Sequence, residues 1–259
     1  MRSIRIQWYA YLALVSILTL DTRTAAANDG RGSALTVAFS DCVEYVGIGL
    51  VPANNAYEFV PMGYELALVE GQAVIVVRVT DCAGVAVNHG RPRAARTAQV
   101  GLQLLNMDTS SDINNYQLYF ATNSRYLRRR LTAAGVPTGS DPHLELTFEP
   151  NTNGTGPLEA VVEPAGMPHY ALNGTAESPT AAPTSFIASW WVDGPAGQMQ
   201  MRTEFPEIVF STAAVVLSTS PQSELAALLG ATNASFALLD SYNAFAFAHM
   251  VVQSSHAQP

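Results

Sequence analysis

The sequence of 259 residues contains no lysine; all 13 of its basic side chains are arginine. That absence removes every mechanism needing a side-chain amine: Schiff-base catalysis, anchoring of pyridoxal phosphate, and the phosphate-gripping lysine of P-loop sites. Positive charge is scarce overall, since 21 acidic residues leave a formal net charge of −8. Phosphate backbones are held by clustered positive charge, so nucleic acid is not expected as a partner. Only 13% of residues are charged against 48% hydrophobic, which excludes a disordered chain and supplies one large core. The histidines and the two cysteines show no metal-ligand spacing, and no HExxH helix, nucleophile elbow or P-loop is present. Neither a metal nor a cofactor is expected.

Long apolar runs are equally few. Residues 8–20 form one, preceded by Arg2 and Arg5 and followed by Asp21, Arg23 and the stretch Thr24-Ala25-Ala26-Ala27. A membrane span needs roughly 20 apolar residues, and this run is shorter. Basic residues, a short apolar core and small residues, in that order, make a secretory signal. Residues 1–27 are therefore read as a cleaved leader. Residues 28–259 are read as one domain, secreted or periplasmic/extracellular, with no membrane span in the mature chain. Losing three arginines and one aspartate with the leader takes the charge from −8 to −10. In an oxidising compartment an even cysteine count favours a Cys42–Cys82 disulfide over two buried thiols or a metal pair. The sequons at Asn153, Asn173 and Asn233 accept sugar only on a eukaryotic secretory route.

The rest of the chain falls into runs rich in Val, Ile, Tyr and Phe, separated by Gly, Pro, Asn and Asp, which is β-strand patterning. Strands are predicted over residues 72–80, 98–105, 116–122, 143–148, 186–192, 198–203, 208–217 and 241–252. Two helices interrupt them. Asn123 is placed to cap one that runs through Tyr126, Leu127 and Leu131 and stops before Gly135-Val136-Pro137. Ser220-Pro221 opens another over residues 224–229, stopped by Gly230. Residues 149–156 and 173–184 have the composition of loops. A single strand-rich α+β domain follows.

The order of these segments resembles the acetoacetate decarboxylase-like superfamily. The likeness is carried by residues 42–51 (CVEYVGIGLV) as an early strand and by the turn Phe59-Val60-Pro61. It continues in Tyr116-Gln117-Leu118-Tyr119 with the helix and Gly-x-Pro turn of residues 123–137, and in the hairpin of residues 190–199 (WWVDGPAGQM). It covers most of residues 40–250. The resemblance implies a large, curved antiparallel β-structure with two or three short helices around an apolar pocket. It also exposes three departures. The family's decarboxylases carry a lysine just after the Gly-x-Pro turn, where this chain has Thr138. The family's glutamate falls near Gln99, and its early arginine at Val43, before Glu44-Tyr45. Threonine forms no imine, so the resemblance implies the pocket without Schiff-base decarboxylation.

The remaining polar and aromatic candidates divide between site and scaffold. His89, in the turn Asn88-His89-Gly90-Arg91-Pro92-Arg93, either grips an anion beside two guanidiniums or sits in a solvated loop. Arg78 lies in the most apolar strand, and alternation lets it face solvent or a buried partner. Tyr116, Tyr119 and Trp190 stand on strands that border the pocket in the resembling fold, with core packing as the other role. Trp190 and Trp191 face opposite ways. Gln99 shares a face with Gly101 and Gln103, which suits either a solvated surface or an inner wall that a ligand approaches. Together these residues outline a site for a small hydrophobic or carbonyl-containing molecule. One function that fits is a secreted enzyme for a small, largely apolar carbonyl or enol compound, of lyase, isomerase, hydratase or cyclase type. The other is a non-catalytic binder of a small hydrophobic molecule.

Overall fold

The computed structural model describes residues 34–254 apart from 106, 195 and 196; the expected leader lies outside the described residues. In chain order the elements are β1 (Leu35–Pro52), α1 (Ala53–Tyr57), β2 (Leu68–Val69), β3 (Gln72–Val87), β4 (Arg93–Gln103), β5 (Ile113–Thr122) and α2 (Arg125–Ala133). They continue as β6 (Gly139–Ser140), β7 (Glu145–Phe148), β8 (Thr155–Val162), β9 (Tyr170–Glu177), β10 (Thr184–Gly194) and β11 (Gly197–Ile208). The last are β12 (Ala213–Thr219), α3 (Glu224–Leu229), β13 (Asn233–Ser235) and β14 (Leu239–Ser254).

Strands β1, β14, β11, β10, β5, β4 and β3 lie side by side, and β3 pairs back onto β1, closing a seven-stranded barrel. An odd number of strands cannot alternate direction all the way round, and among the seven barrel strands described the parallel pair is β5 with β10. A second antiparallel sheet, in the order β13-β12-β9-β8-β7, packs against the barrel. This is a strand-rich α+β fold with three short helices, as expected.

Two apolar clusters result. One fills the barrel with Val37, Phe39, Val76, Trp190, Met201 and Phe245, and receives Leu127 and Leu131 from α2. The other joins the barrel's outer face (Tyr45, Val77, Val79, Val100) to the second sheet (Leu158, Leu172, Leu217). Strand β3 is therefore covered on both faces, which is why residues 73–80 are all buried and, but for Arg78 and Thr80, apolar.

Several local expectations are corrected. The cap of α2 is Ser124, whose Oγ accepts from Leu127 N at 3.3 Å, while Asn123 Oδ1 accepts from Arg96 N at 2.8 Å and ties the helix start to β4. Ser223, not Ser220, caps α3 by accepting from Ala226 N at 3.0 Å, and Gly230 ends it at φ 67°. Residues 208–217 are not one strand, because Ile208 ends β11 and β12 begins at Ala213. The loop-like stretch at 173–184 begins inside β9, and Thr155 and Gly156 open β8. Gly174 belongs in the sheet because a Cβ there would come within 2.1 Å of Ala214 O; only glycine admits that approach.

Candidate functional site

The site is organised from a covalent register mark. Cys42 and Cys82 face each other across β1 and β3 and are bridged, with Cα atoms 4.1 Å apart. Their side chains lie in the barrel's interior cluster. Counting by twos from the bridge puts Glu44 and Val46 of β1, and Thr80, Arg78 and Val76 of β3, on the same inner face.

Arg78 is thereby buried with a partner. Its Nε donates to Glu44 Oε2 at 2.6 Å and its Nη1 to Gln99 Oε1 at 3.1 Å; its guanidinium carbon stands 5.4 Å from the centre of the Phe205 ring. Thr80 Oγ1 donates to the same Glu44 oxygen at 3.4 Å, and Gln99 Nε2 reaches Gln117 Oε1 at 3.5 Å. On the other side, Asn243 of β14 is the register partner of Glu44. Asn243, Glu44, Thr80 with Arg78, Gln99 and Gln117 thus form a polar belt across five adjoining strands of the barrel. The pairing offsets the cost of taking two charges out of water.

A bulge completes the belt. Gly101 pairs with Gln117 and Val100 with Tyr119, so Leu118 is an extra residue in β5. That extra residue brings both Gln117 and Phe120 to the inner face. Gly101 meets the indole of Trp190, where a Cβ would stand 2.7 Å from the ring.

Bordering the belt, the barrel holds a cavity of about 60 Å³. That is several times the roughly 10–15 Å³ that one water needs, so the cavity is of a size for a small molecule. Its walls are apolar, from Val76 through Trp190 to Phe205, and its polar residues are Glu44, Arg78, Asn115 and Asn243.

Of the candidates read from sequence, Arg78 and Trp190 line this cavity. Gln99, 3% exposed, stands behind Arg78 and braces it. Tyr116 and Tyr119 stand on the barrel's outer face. Tyr116 packs on Tyr64 at 4.8 Å between ring centres, and its pKa is pushed up to about 12 by burial and then by the nearby Asp193 charge. Tyr119 donates to Glu224 Oε2 at 3.0 Å. His89 is exposed in the β3–β4 turn at φ 61°, and does not border the cavity. Thr138 donates to Val136 O at 2.9 Å, so its hydroxyl is engaged in the turn after α2. Val43 packs against the outer cluster, leaving Arg78 of the neighbouring strand to supply a guanidinium beside Glu44. Glu44, Asn115, Gln117 and Asn243 were not singled out by the sequence reading. Glu44 had a signal, since it lies two residues from Cys42 as Thr80 lies two from Cys82. Among the described residues no group of three or more His, Cys, Asp or Glu is placed to hold a metal ion.

No protein-family model and no curated protein sequence matches the chain. Solved structures do resemble it. An acetoacetate decarboxylase-like enzyme from Sphingomonas wittichii superposes with a TM-score of 0.53 at 10% identity, covering 86% of this chain and 92% of the other. Acetoacetate decarboxylase from Legionella pneumophila gives 0.52 at 10% identity over 93% and 96%. The enduracididine biosynthesis enzyme MppR, complexed with pyruvate, gives 0.51 at 13% identity over 86% and 88%. The chain therefore has the acetoacetate decarboxylase-like fold, and at these identities the likeness is one of fold.

Proposed function

We propose that the barrel cavity binds a small, largely apolar carbonyl or enol compound and moves a proton at the carbon beside the carbonyl, a lyase- or isomerase-type step without an imine. The observation that carries this reading is a buried carboxylate–guanidinium pair bordering an apolar cavity. Glu44 uses only Oε2 within the protein, and among the described residues nothing donates to Oε1. Arg78 likewise spends Nε and Nη1, leaving Nη2 for a ligand. A ketone oxygen directed at Nη2 presents its neighbouring C–H to Glu44 Oε1. The carboxylate takes the proton, the carbonyl π electrons move onto oxygen, and the guanidinium stabilises the resulting enolate. Returning the proton to a different carbon isomerises the ligand; expelling a leaving group from the adjacent carbon makes the step a lyase reaction. Support also comes from the fold neighbour solved with pyruvate, a small carbonyl compound. The disulfide suits the oxidising compartment to which a leader would direct the chain.

A non-catalytic binder is the second reading, favoured by one distance: the Glu44 carboxylate is held 2.6 Å from the Arg78 guanidinium, so its Oε2 is already committed within the protein. The two separate in heavy water. With 2-butanone and 2,3-butanedione as probes, the catalytic reading expects NMR to show α-deuteration accelerated by the protein and lost in Glu44→Gln. Binding without exchange selects the non-catalytic reading, and no binding of either probe overturns both.

A further inference from the structure

We infer that the ligand of the barrel cavity carries a hydroxyl next to its carbonyl, and that Asn115 and Asn243 read it; this rests on the carbonyl-binding reading above. Asn115 Oδ1 and Asn243 Nδ2 are buried without a hydrogen-bond partner among the described residues. The two residues are 1% and 0% exposed, and both border the cavity. Their inward direction is set by the ladders. Asn115 pairs with Trp190 across the parallel β5–β10 seam, and Asn243 with Glu44 across β14 and β1. Neither amide is explained by packing, because Leu or Val would fill the same wall without an unpaired group, as Val46, Val76 and Ile113 do around it.

The two orphan atoms are chemically complementary. With Asn243 Oδ1 accepting from Ser241 Oγ, Nδ2 is left as the free donor. Asn115 offers an acceptor. A hydroxyl is the smallest group that both donates and accepts, so a ligand hydroxyl has a partner to offer either kind of orphan atom. The Glu44–Arg78 pair meanwhile takes the carbonyl end, as proposed above. A cavity of about 60 Å³ then suits a short hydroxyketone or its enediol. The hydroxyl also defines the isomerase-type chemistry. Removing the C–H proton from the hydroxyl-bearing carbon gives an enediolate, and reprotonating the former carbonyl carbon, with a proton passing between the oxygens, exchanges carbonyl and hydroxyl. No oxidant or reductant enters the balance.

The test compares acetoin with 2-butanone, which differ by that hydroxyl, in ligand-detected NMR titrations of the full chain. Wild type is expected to bind acetoin at least about tenfold more tightly, since a site built for a hydroxyl leaves its polar groups unpaired against the analogue lacking it. In Asn115→Leu the two affinities should converge while 2-butanone still binds, which also reports that the variant is folded. Equal affinities in wild type, or a preference for acetoin that survives Asn115→Leu, overturn the hydroxyl inference and leave the carbonyl reading standing. If neither ketone binds, or if filling the cavity with Ala188→Leu does not weaken both, the carbonyl reading falls and this inference with it.

Discussion

Glu44 and Arg78 meet at 2.6 Å as diagonal neighbours on the inner face of the barrel, because Glu44 lies opposite Thr80 and Arg78 opposite Val46. Their side chains are 4% and 10% exposed. Neither ion has water enough to stand alone, so each is a condition for the other's burial.

Removing one partner should cost much more than removing both. Arg78→Leu leaves a carboxylate in an apolar barrel and is expected to lose about 3–5 kcal/mol in urea denaturation. The double variant Glu44→Leu/Arg78→Leu should recover most of that loss. Equal losses in the single and double variants would show that the pair is not the source of the effect.

The Cys42–Cys82 bridge crosses the β1–β3 seam, the one that closes the barrel. Cys42→Ala/Cys82→Ala is expected to lower stability by about 2–4 kcal/mol, and reduction of the wild type by a similar amount. Intact mass of the unreduced, denatured wild type should show no alkylated thiol; two labelled cysteines would refute the bridge.

That bridge also marks how far the site was legible in the sequence. Alternation alone leaves Arg78 facing either way. Alternation counted from Cys42 and Cys82 together sets Glu44, Thr80 and Arg78 on one face and one register step apart. The β-branched runs revealed most strands for the same reason, since period and composition are local. β8 and β9 hid behind Gly156-Pro157 and Asn173-Gly174, turn-like pairs whose place in a sheet depends on what packs over them. The outward direction of Tyr116 and Tyr119 was not legible, because it depends on the bulge at Leu118 and on the pairing of β4 with β5. Asn115 and Asn243 come together only through closure by β10 and β14, which no local pattern announces.

Asp108 gives the fold an acid-sensitive tie. Its carboxylate accepts from Ser110 N and Oγ at 2.9 and 2.7 Å, from Ser111 Oγ at 2.9 Å and from Gln200 Nε2 at 2.9 Å, fastening the β4–β5 connection to β11. Burial acts to raise its pKa, but these hydrogen bonds outweigh burial and leave it below the ordinary 3.8. The unfolded chain keeps the ordinary value, so the stabilisation is full above it and is lost as pH falls through the lower folded value. The stability gap between wild type and Asp108→Asn should therefore narrow as the pH drops below 3.8. A gap that stays constant from about pH 7 to about pH 2 would contradict this assignment.

Gln99 offers the sharpest probe of the belt, because its Oε1 accepts from Arg78 Nη1 at 3.1 Å and the residue is 3% exposed. Gln99→Leu removes that acceptor and should cost about 1–3 kcal/mol at every pH. Gln99→Glu keeps shape and acceptor but sets a second carboxylate on a guanidinium already committed to Glu44. One buried cation cannot neutralise two buried anions, so the pair of carboxylates should hold a shared proton well above the ordinary carboxylate range. A raised acid pKa in the folded state gives stability that is present below the unfolded pKa and lost as pH rises through the folded one. Urea denaturation should thus show Gln99→Glu close to wild type near about pH 4 and increasingly weaker toward about pH 8. A deficit independent of pH would mean that position 99 is screened by water, and that the polar belt does not extend from Arg78 into β4.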